Sequence, residues 1–333
     1  MSRRRRLGVV LLVEGAAGNE VDGLRRALGD GALDAVAAHV TLVPPVNVPS
    51  ASVLSALSVL RGAAAAAPGG LDLELGPVAT FHPLSPVVYL QVGGPGGVPL
   101  VELHAALRKP PLTRPEGWPF VPHVTLCEDA RPDAIAAAVS CLARYHRSVH
   151  FDRVVMLEQT DHRWQPLADA RLGPERVVGR GGLETRIWQG SLIGPDLAQV
   201  WAESGPAESD PELGRPGNTG DKGDLPGPGG PAPAGCIVLT GRREDETVAG
   251  ALAVAAAAPG SPVDVAVFVA GPVQRQGVGR QLLMALEAAT REAGWARGQV
   301  RGHGPAAFYR SVGRWAVPAG GEHVAVAWPT ARH

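Results

Sequence analysis

The chain has 333 residues, of which 45% are hydrophobic and 19% charged, and its formal net charge is −1. That length exceeds what one hydrophobic core usually serves, so two globular domains are expected. Near-neutral charge excludes the basic excess of a protein that grips long duplex nucleic acid, whereas a single phosphate needs only a local site.

The opening, MSRRRRLGVVLLVEG, has the basic head and apolar run of a secretory leader. The run from Leu7 to Val13 is short and Glu14 closes it, so a first β-strand is the reading adopted. Further strands are predicted over 40–43, 71–75, 87–92, 124–126 and 154–157. Ala/Leu-rich helices are predicted over 22–28, 51–66, 98–108 and 132–145, the last with a proline near its start, where a missing N–H costs least. Such alternation defines an α+β or α/β domain. Residues 205–235 are dominated by Gly and Pro and hold only Leu213 and Leu225 as large apolar residues, so they read as a disordered linker. Beyond it come strands over 236–240, 248–253 and 263–269. A helix follows over 277–293, with Leu282, Leu283, Leu286 and Ala289 on one face, and shorter elements close the chain near 305–312 and 323–328.

Cys127, Cys141 and Cys236 form neither a C-x-x-C pair nor a dense framework. Reduced thiols, a cytoplasmic location and no structural zinc are expected. No run of 18 apolar residues is free of charge, Gly and Pro, so no membrane span is expected either.

The tetrapeptide His-Val-Thr-Leu occurs twice, beginning at His39 and at His123. In a strand successive side chains alternate faces, so His39 and Thr41 share one side while Val40 and Leu42 anchor the other. His123 and Thr125 stand likewise against Val124 and Leu126. If the two strands face each other, their polar sides make a cleft with two imidazoles and two hydroxyls. One neutral imidazole can then take a proton from an attacking oxygen, and the other, protonated, can give one to the leaving oxygen. The hydroxyls of Thr41 and Thr125 can donate to phosphoryl oxygens as charge gathers there, with no metal required. A lone H-x-T in a strand is a weak signal; two copies in plausible strands are a much stronger one. His82 reads as a loop residue. Trp118 and Phe120 read as core aromatics, with base stacking as the other role. His104, His146, His150 and His162 show no ligand spacing.

Over roughly residues 7–182 the chain resembles the 2H phosphoesterases, the LigT or 2′-5′ RNA ligase-like family. The likeness lies in LGVVLLVEG, both motifs, ATFHPLSPVVYLQV and RWQPLADARLG. It implies a two-lobed, pseudo-symmetric domain, with His39 and His123 as acid–base pair and Thr41 and Thr125 binding phosphate. The implied substrates are 2′,3′-cyclic phosphates or RNA-end phosphodiesters. The sequence leaves open which histidine is the base.

In VDVAVFVAGPVQRQGVGRQLL a strand enters a glycine-bearing turn and a helix leaves it. Helix-start amides and the helix dipole suit an anion there. The turn is neither a Walker A loop nor a dinucleotide fingerprint. With PAAFYRSVGRW, over residues 305–315, it resembles the GNAT acetyltransferases across roughly 183–330. That resemblance implies a mixed β-sheet and acetyl-CoA as cofactor. Val269 would pair with the pantetheine arm, and Gln274, Arg275, Gln276, Gly277, Val278, Gly279 and Arg280 would hold the pyrophosphate. Tyr309 would be the general acid, with a packed helix aromatic as its other reading. The acceptor amine is unknown, and Asp264 or Glu246 are candidates to deprotonate it. The asparagine often found before A-x-x-F-Y is absent, with RGHGP in its place. The sequence thus predicts a bifunctional enzyme. Rival readings are an acyltransferase whose first domain only selects a nucleotide-like ligand, and a non-catalytic sensor.

Overall fold

The computed structural model describes residues 3–115, 117–179, 184–204, 236–243, 246–254, 263–295, 297–300 and 324–327. It is a mixed α and β fold built on two large sheets, one in each of two compact units, 1–174 and 175–333. Sequence reading set the division at 182/183. Strand pairing sets it earlier, because Arg176–Val178 hydrogen-bonds to Thr185–Gly190 and so belongs to the second sheet.

The first unit runs β1 (Arg4–Leu12), α1 (Gly15–Ala27), β2 (His39–Pro49), α2 (Val53–Ala66), β3 (Leu71–Thr80), β4 (Val88–Gly93) and α3 (Gly97–Leu107). It continues with β5 (His123–Cys127), α4 (Pro132–Cys141), β6 (Arg147–Phe151), β7 (Arg153–Thr160) and β8 (Arg163–Arg171). These eight strands form one sheet in the order β6-β3-β4-β5-β2-β1-β7-β8, with every pairing antiparallel. The order is a near-palindrome about the β5–β2 junction: each half sets a motif strand at the centre and three further strands outward. Val40, Leu42, Val124 and Leu126 are fully buried on one face. They share a single core with Val21 of α1, Leu57 and Leu60 of α2, Leu100 of α3 and Ile135 of α4. Burying each such side chain contributes roughly 1.5–3 kcal/mol, so the motif strands are pinned from behind.

The second unit contains β9 (Arg176–Val178), β10 (Thr185–Gly190), α5 (Pro195–Ser204), β11 (Cys236–Arg243), β12 (Glu246–Val254), β13 (Val263–Val269), α6 (Val278–Glu292), β14 (Arg297–Val300) and β15 (Val324–Ala327). Its sheet has the order β15-β14-β13-β12-β11-β10-β9, with β13 and β14 parallel and the remaining pairs antiparallel. Leu282, Leu283, Leu286 and Ala289 of α6 are all buried, the face read from their spacing. The Gly/Pro-rich segment 205–235 lies outside the described residues, as do Tyr309 and the whole of 305–315. No described helix is long and apolar enough to cross a membrane.

Candidate active site

The two motif strands do not face each other across a cleft. They are neighbours in one sheet, joined where Val40 pairs with Val124. Running antiparallel from that pair, His39 lies toward Thr125 and Thr41 toward His123. All four polar side chains therefore share the face opposite the helices. Diagonal neighbours on one sheet face stand roughly 7–8 Å apart, room for one phosphodiester between two imidazoles.

The two copies repeat each other in backbone detail. His39 Nδ1 lies 2.7 Å from the carbonyl of Ala37, and His123 Nδ1 lies 2.7 Å from the carbonyl of Val121. A carbonyl only accepts, so each Nδ1 carries the proton and each neutral ring keeps its lone pair on Nε2. Each motif also carries a β-bulge directly after its threonine. Val10 pairs with Thr41 while Val9 pairs with Val43, and Tyr89 pairs with Thr125 while Val88 pairs with Cys127. An extra residue there bends the strand and re-aims the side chains beside it. Neither the carbonyl bond nor the bulge was visible in the sequence.

What surrounds the copies differs. His39 and Thr41 lie beside Leu12 and Val10 of β1, which join Val155, Leu157, Val36 and Trp164 in a small apolar cluster on this face. Burial holds the His39 imidazolium below its ordinary pKa of 6.5; the charges of Arg25 and His123 push the same way, and the Ala37 hydrogen bond opposes them. Arg25 is itself buried. It donates to Asp30 at 2.8 Å, to Asp22 at 2.9 Å and to the Val36 carbonyl at 3.0 Å, so it ties down the loop that delivers β2. His123 lies instead beside Gln91, and its ring meets Phe81 and Tyr89 edge-on, both at 5.2 Å between centroids. Phe81 and Tyr89 stack at 4.2 Å. Burial raises the Tyr89 phenol above its usual range.

Several residues outside the motifs thus bear on the site: Arg25, Phe81, Tyr89 and Trp164. The only sequence signal for them was position, since Tyr89 and Phe81 flank the strand that pairs with the second motif. His104 has a structural role: its buried Nδ1 donates to the Leu42 carbonyl at 2.8 Å and its ring stacks on Phe120 at 3.8 Å. Phe120 packs on the core, as read from sequence. Trp118 does not; it is 75% exposed in the loop that enters β5. His82 lies exposed in the β3–β4 loop. Among the described residues no group of three or more His, Cys, Asp or Glu side chains could hold a metal ion.

In the second unit, the turn between β13 and α6 is exposed from Gln274 to Gly277. Arg275 (φ 63°) and Gly277 (φ 81°) both adopt the left-handed region, which reverses the chain so that α6 begins with its amides facing the turn. Gln274 Nε2 donates to the Val269 carbonyl at 3.0 Å, and Gln276 accepts from Arg243 while donating to the Pro272 carbonyl at 3.1 Å. Val269 pairs across to Ala249, and β14 pairs only with the first residues of β13, Val263–Val265, among the described residues. Glu246 is exposed at the start of β12.

Residues 13–163 match the model of the 2′-5′ RNA ligase superfamily. A curated protein of Halalkalibacterium halodurans, provisionally named a phosphoesterase, is 28% identical over 144 residues, 41% of this chain and 80% of that protein. Escherichia coli LigT, solved in its apo form, is 24% identical, with a TM-score of 0.39 over 52% of this chain and 99% of its own. LigT has also been solved with 3′-AMP. A GNAT-family protein from Desulfovibrio desulfuricans, itself provisionally assigned as an acetyltransferase, is 18% identical with a TM-score of 0.24, covering 28% of this chain and 68% of that one.

Proposed function

We propose that the first unit hydrolyses a cyclic phosphate or RNA-end phosphodiester with His39 as general base and His123 as general acid. The observation that carries this is the paired motif itself: two imidazoles on one sheet face, each fixed by its own carbonyl so that Nε2 is presented. His39, kept neutral by its apolar surroundings, takes a proton from water. The water oxygen bonds to phosphorus, the bond to the 2′ or 3′ oxygen breaks, and His123, entering the step as an imidazolium with a second proton on Nε2, gives that proton to the oxygen as it leaves. Thr41 and Thr125 donate to the two non-bridging oxygens, where charge grows. Every step uses side chains of this chain and needs no metal ion. Hydrolysis of a nucleoside 2′,3′-cyclic phosphate in EDTA tests the reading. Turnover that persists under chelation supports it, and a requirement for added metal contradicts it.

The second unit supports a further reading, acyl transfer from acetyl-CoA. The left-handed turn and the first amides of α6 fit a pyrophosphate, and Arg275 and Arg280 bring positive charge to it. Gln274, Gln276, Gly277, Val278 and Gly279 would complete that cradle. Val269, at the end of β13, is the proposed partner of the pantetheine arm, and Tyr309 the proposed proton donor to the departing thiolate. Bound acetyl-CoA would supply an activated thioester. Calorimetric titration with coenzyme A tests the site: binding lost in Gly277→Val, with the protein still folded, supports it, and binding unchanged by that substitution overturns it.

A further inference from the structure

The four arginines at the start of β1 are not equivalent. From Leu7↔Glu158 to Val10↔Val155, β1 pairs with β7 without a register shift, so its side chains alternate regularly. Leu7, Val9 and Leu11 enter the main core, while Val10 and Leu12 join the apolar cluster beside His39 and Thr41. Arg5, in phase with Leu7, pairs with Glu158. Arg4 and Arg6 are in phase with Val10 and so lie on the active-site face. Both are exposed, and among the described residues neither has an ion-pair partner. Across from Arg6 stands Asn47, which is neutral and exposed.

Between Val10 and Arg6 the same face holds Gly8, and its missing side chain is used. A Cβ there would stand 3.6 Å from Cζ3 of Trp164, so the indole lies over Gly8. The Trp164 amide donates to the Ala35 carbonyl at 2.8 Å, which fixes the backbone that carries the ring. The face of β1 therefore reads, outward from Thr41, as Val10, then an indole over Gly8, then Arg6 and Arg4. At a strand rise of about 3.3 Å per residue, Arg6 lies roughly 13 Å along the chain from the position opposite Thr41.

We infer that this row is a rail for single-stranded RNA, which binds the nucleotides upstream of the one whose 3′-terminal phosphate sits between His39 and His123. The inference rests on the proposed phosphodiesterase reading for the identity of that end. Cations that track phosphates, with an aromatic plane for a base, are what sequence-tolerant single-strand binding needs. The near-neutral chain leaves this as a short rail rather than a duplex footprint.

The test compares uridine 2′,3′-cyclic phosphate with a hexauridylate ending in the same cyclic phosphate, on the full chain and on its Arg4→Ala/Arg6→Ala variant. The rail predicts that the variant loses at least tenfold in kcat/KM on the hexamer, through KM, and less than twofold on the mononucleotide. It also predicts a salt slope for the hexamer that is shallower by about 1.4, two phosphate contacts at about 0.7 each. Equal loss on both substrates, or none on the hexamer, overturns the rail. If neither substrate turns over, fluorescence anisotropy of labelled hexauridylate decides separately. Binding that the variant weakens tenfold upholds the rail while the catalytic reading fails. Binding that is unchanged, or absent in the parent, overturns the rail.

Discussion

His39 and His123 open the same tetrapeptide, make the same bond to the carbonyl two residues back, and precede the same bulge. Their neighbours are unlike. Leu12 and Val10 beside the first become Gln91 and Tyr89 beside the second, and the apolar cluster around Trp164 becomes the Phe81–Tyr89 stack. Backbone and motif set where the two imidazoles stand. In the proposed reaction the adjoining strands would set what each does, because it is their side chains that bury one ring and brace the other. A site built from a repeat becomes an acid–base pair only when its surroundings break the symmetry.

The sharpest way to break this comparison is to remove either ring. His39→Ala and His123→Ala should each lower kcat on a cyclic nucleotide by about 10²–10⁴, the usual contribution of a positioned acid or base, with unchanged circular dichroism. A loss confined to one of them would make the other ring structural. Replacing a hydroxyl is milder. Thr41→Val or Thr125→Val should cost on the order of 10- to 100-fold, the weight of one hydrogen bond to developing charge, and should do so about equally. Bracing is weaker still: Phe81→Leu should lower kcat several-fold, since one aromatic contact contributes about 0.5–1.5 kcal/mol, and should broaden the His123 ring resonances while leaving those of His39 in place.

The smallest effect is in pH. The folded protein holds His39 below its ordinary pKa of 6.5, so the unfolded chain takes up that proton first on acidification. The His39 contribution to stability is therefore present above pH 6.5 and is lost as pH falls through the folded value. The acid limb of kcat/KM should lie below 6.5 for the same reason. Leu12→Gln, which sets a polar group against the ring, should move that limb upward; a limb that stays put would mean that burial by the β1 wall is not the cause.

The alternation of each motif, with valine and leucine behind and histidine and threonine in front, was plain in the sequence because its hydrophobic members are all fully buried. So was the buried face of α6. Strands β6 and β8 were not read, for a physical reason: they are the two edges of the first sheet. Edge strands are half exposed, tolerate charge, and accept proline, as β8 does at Pro166. The helix α1 starts at Gly15, seven residues before the stretch read from sequence, because its first turns carry small residues that give little periodic signal. The bulges were hidden for a different reason. They depend on which strands become neighbours, and the facing-strand cleft inferred from the motifs assumed another arrangement.

The central claim is that His39 and His123 are one active site. Hydrolysis of a nucleoside 2′,3′-cyclic phosphate in EDTA by the parent, both single alanine variants and the His39→Ala/His123→Ala double variant tests it most directly. Groups that act as a unit are non-additive, so the double variant is expected to be no slower than the worse single variant. Losses that multiply in the double variant would mean two independent contributions and would contradict it.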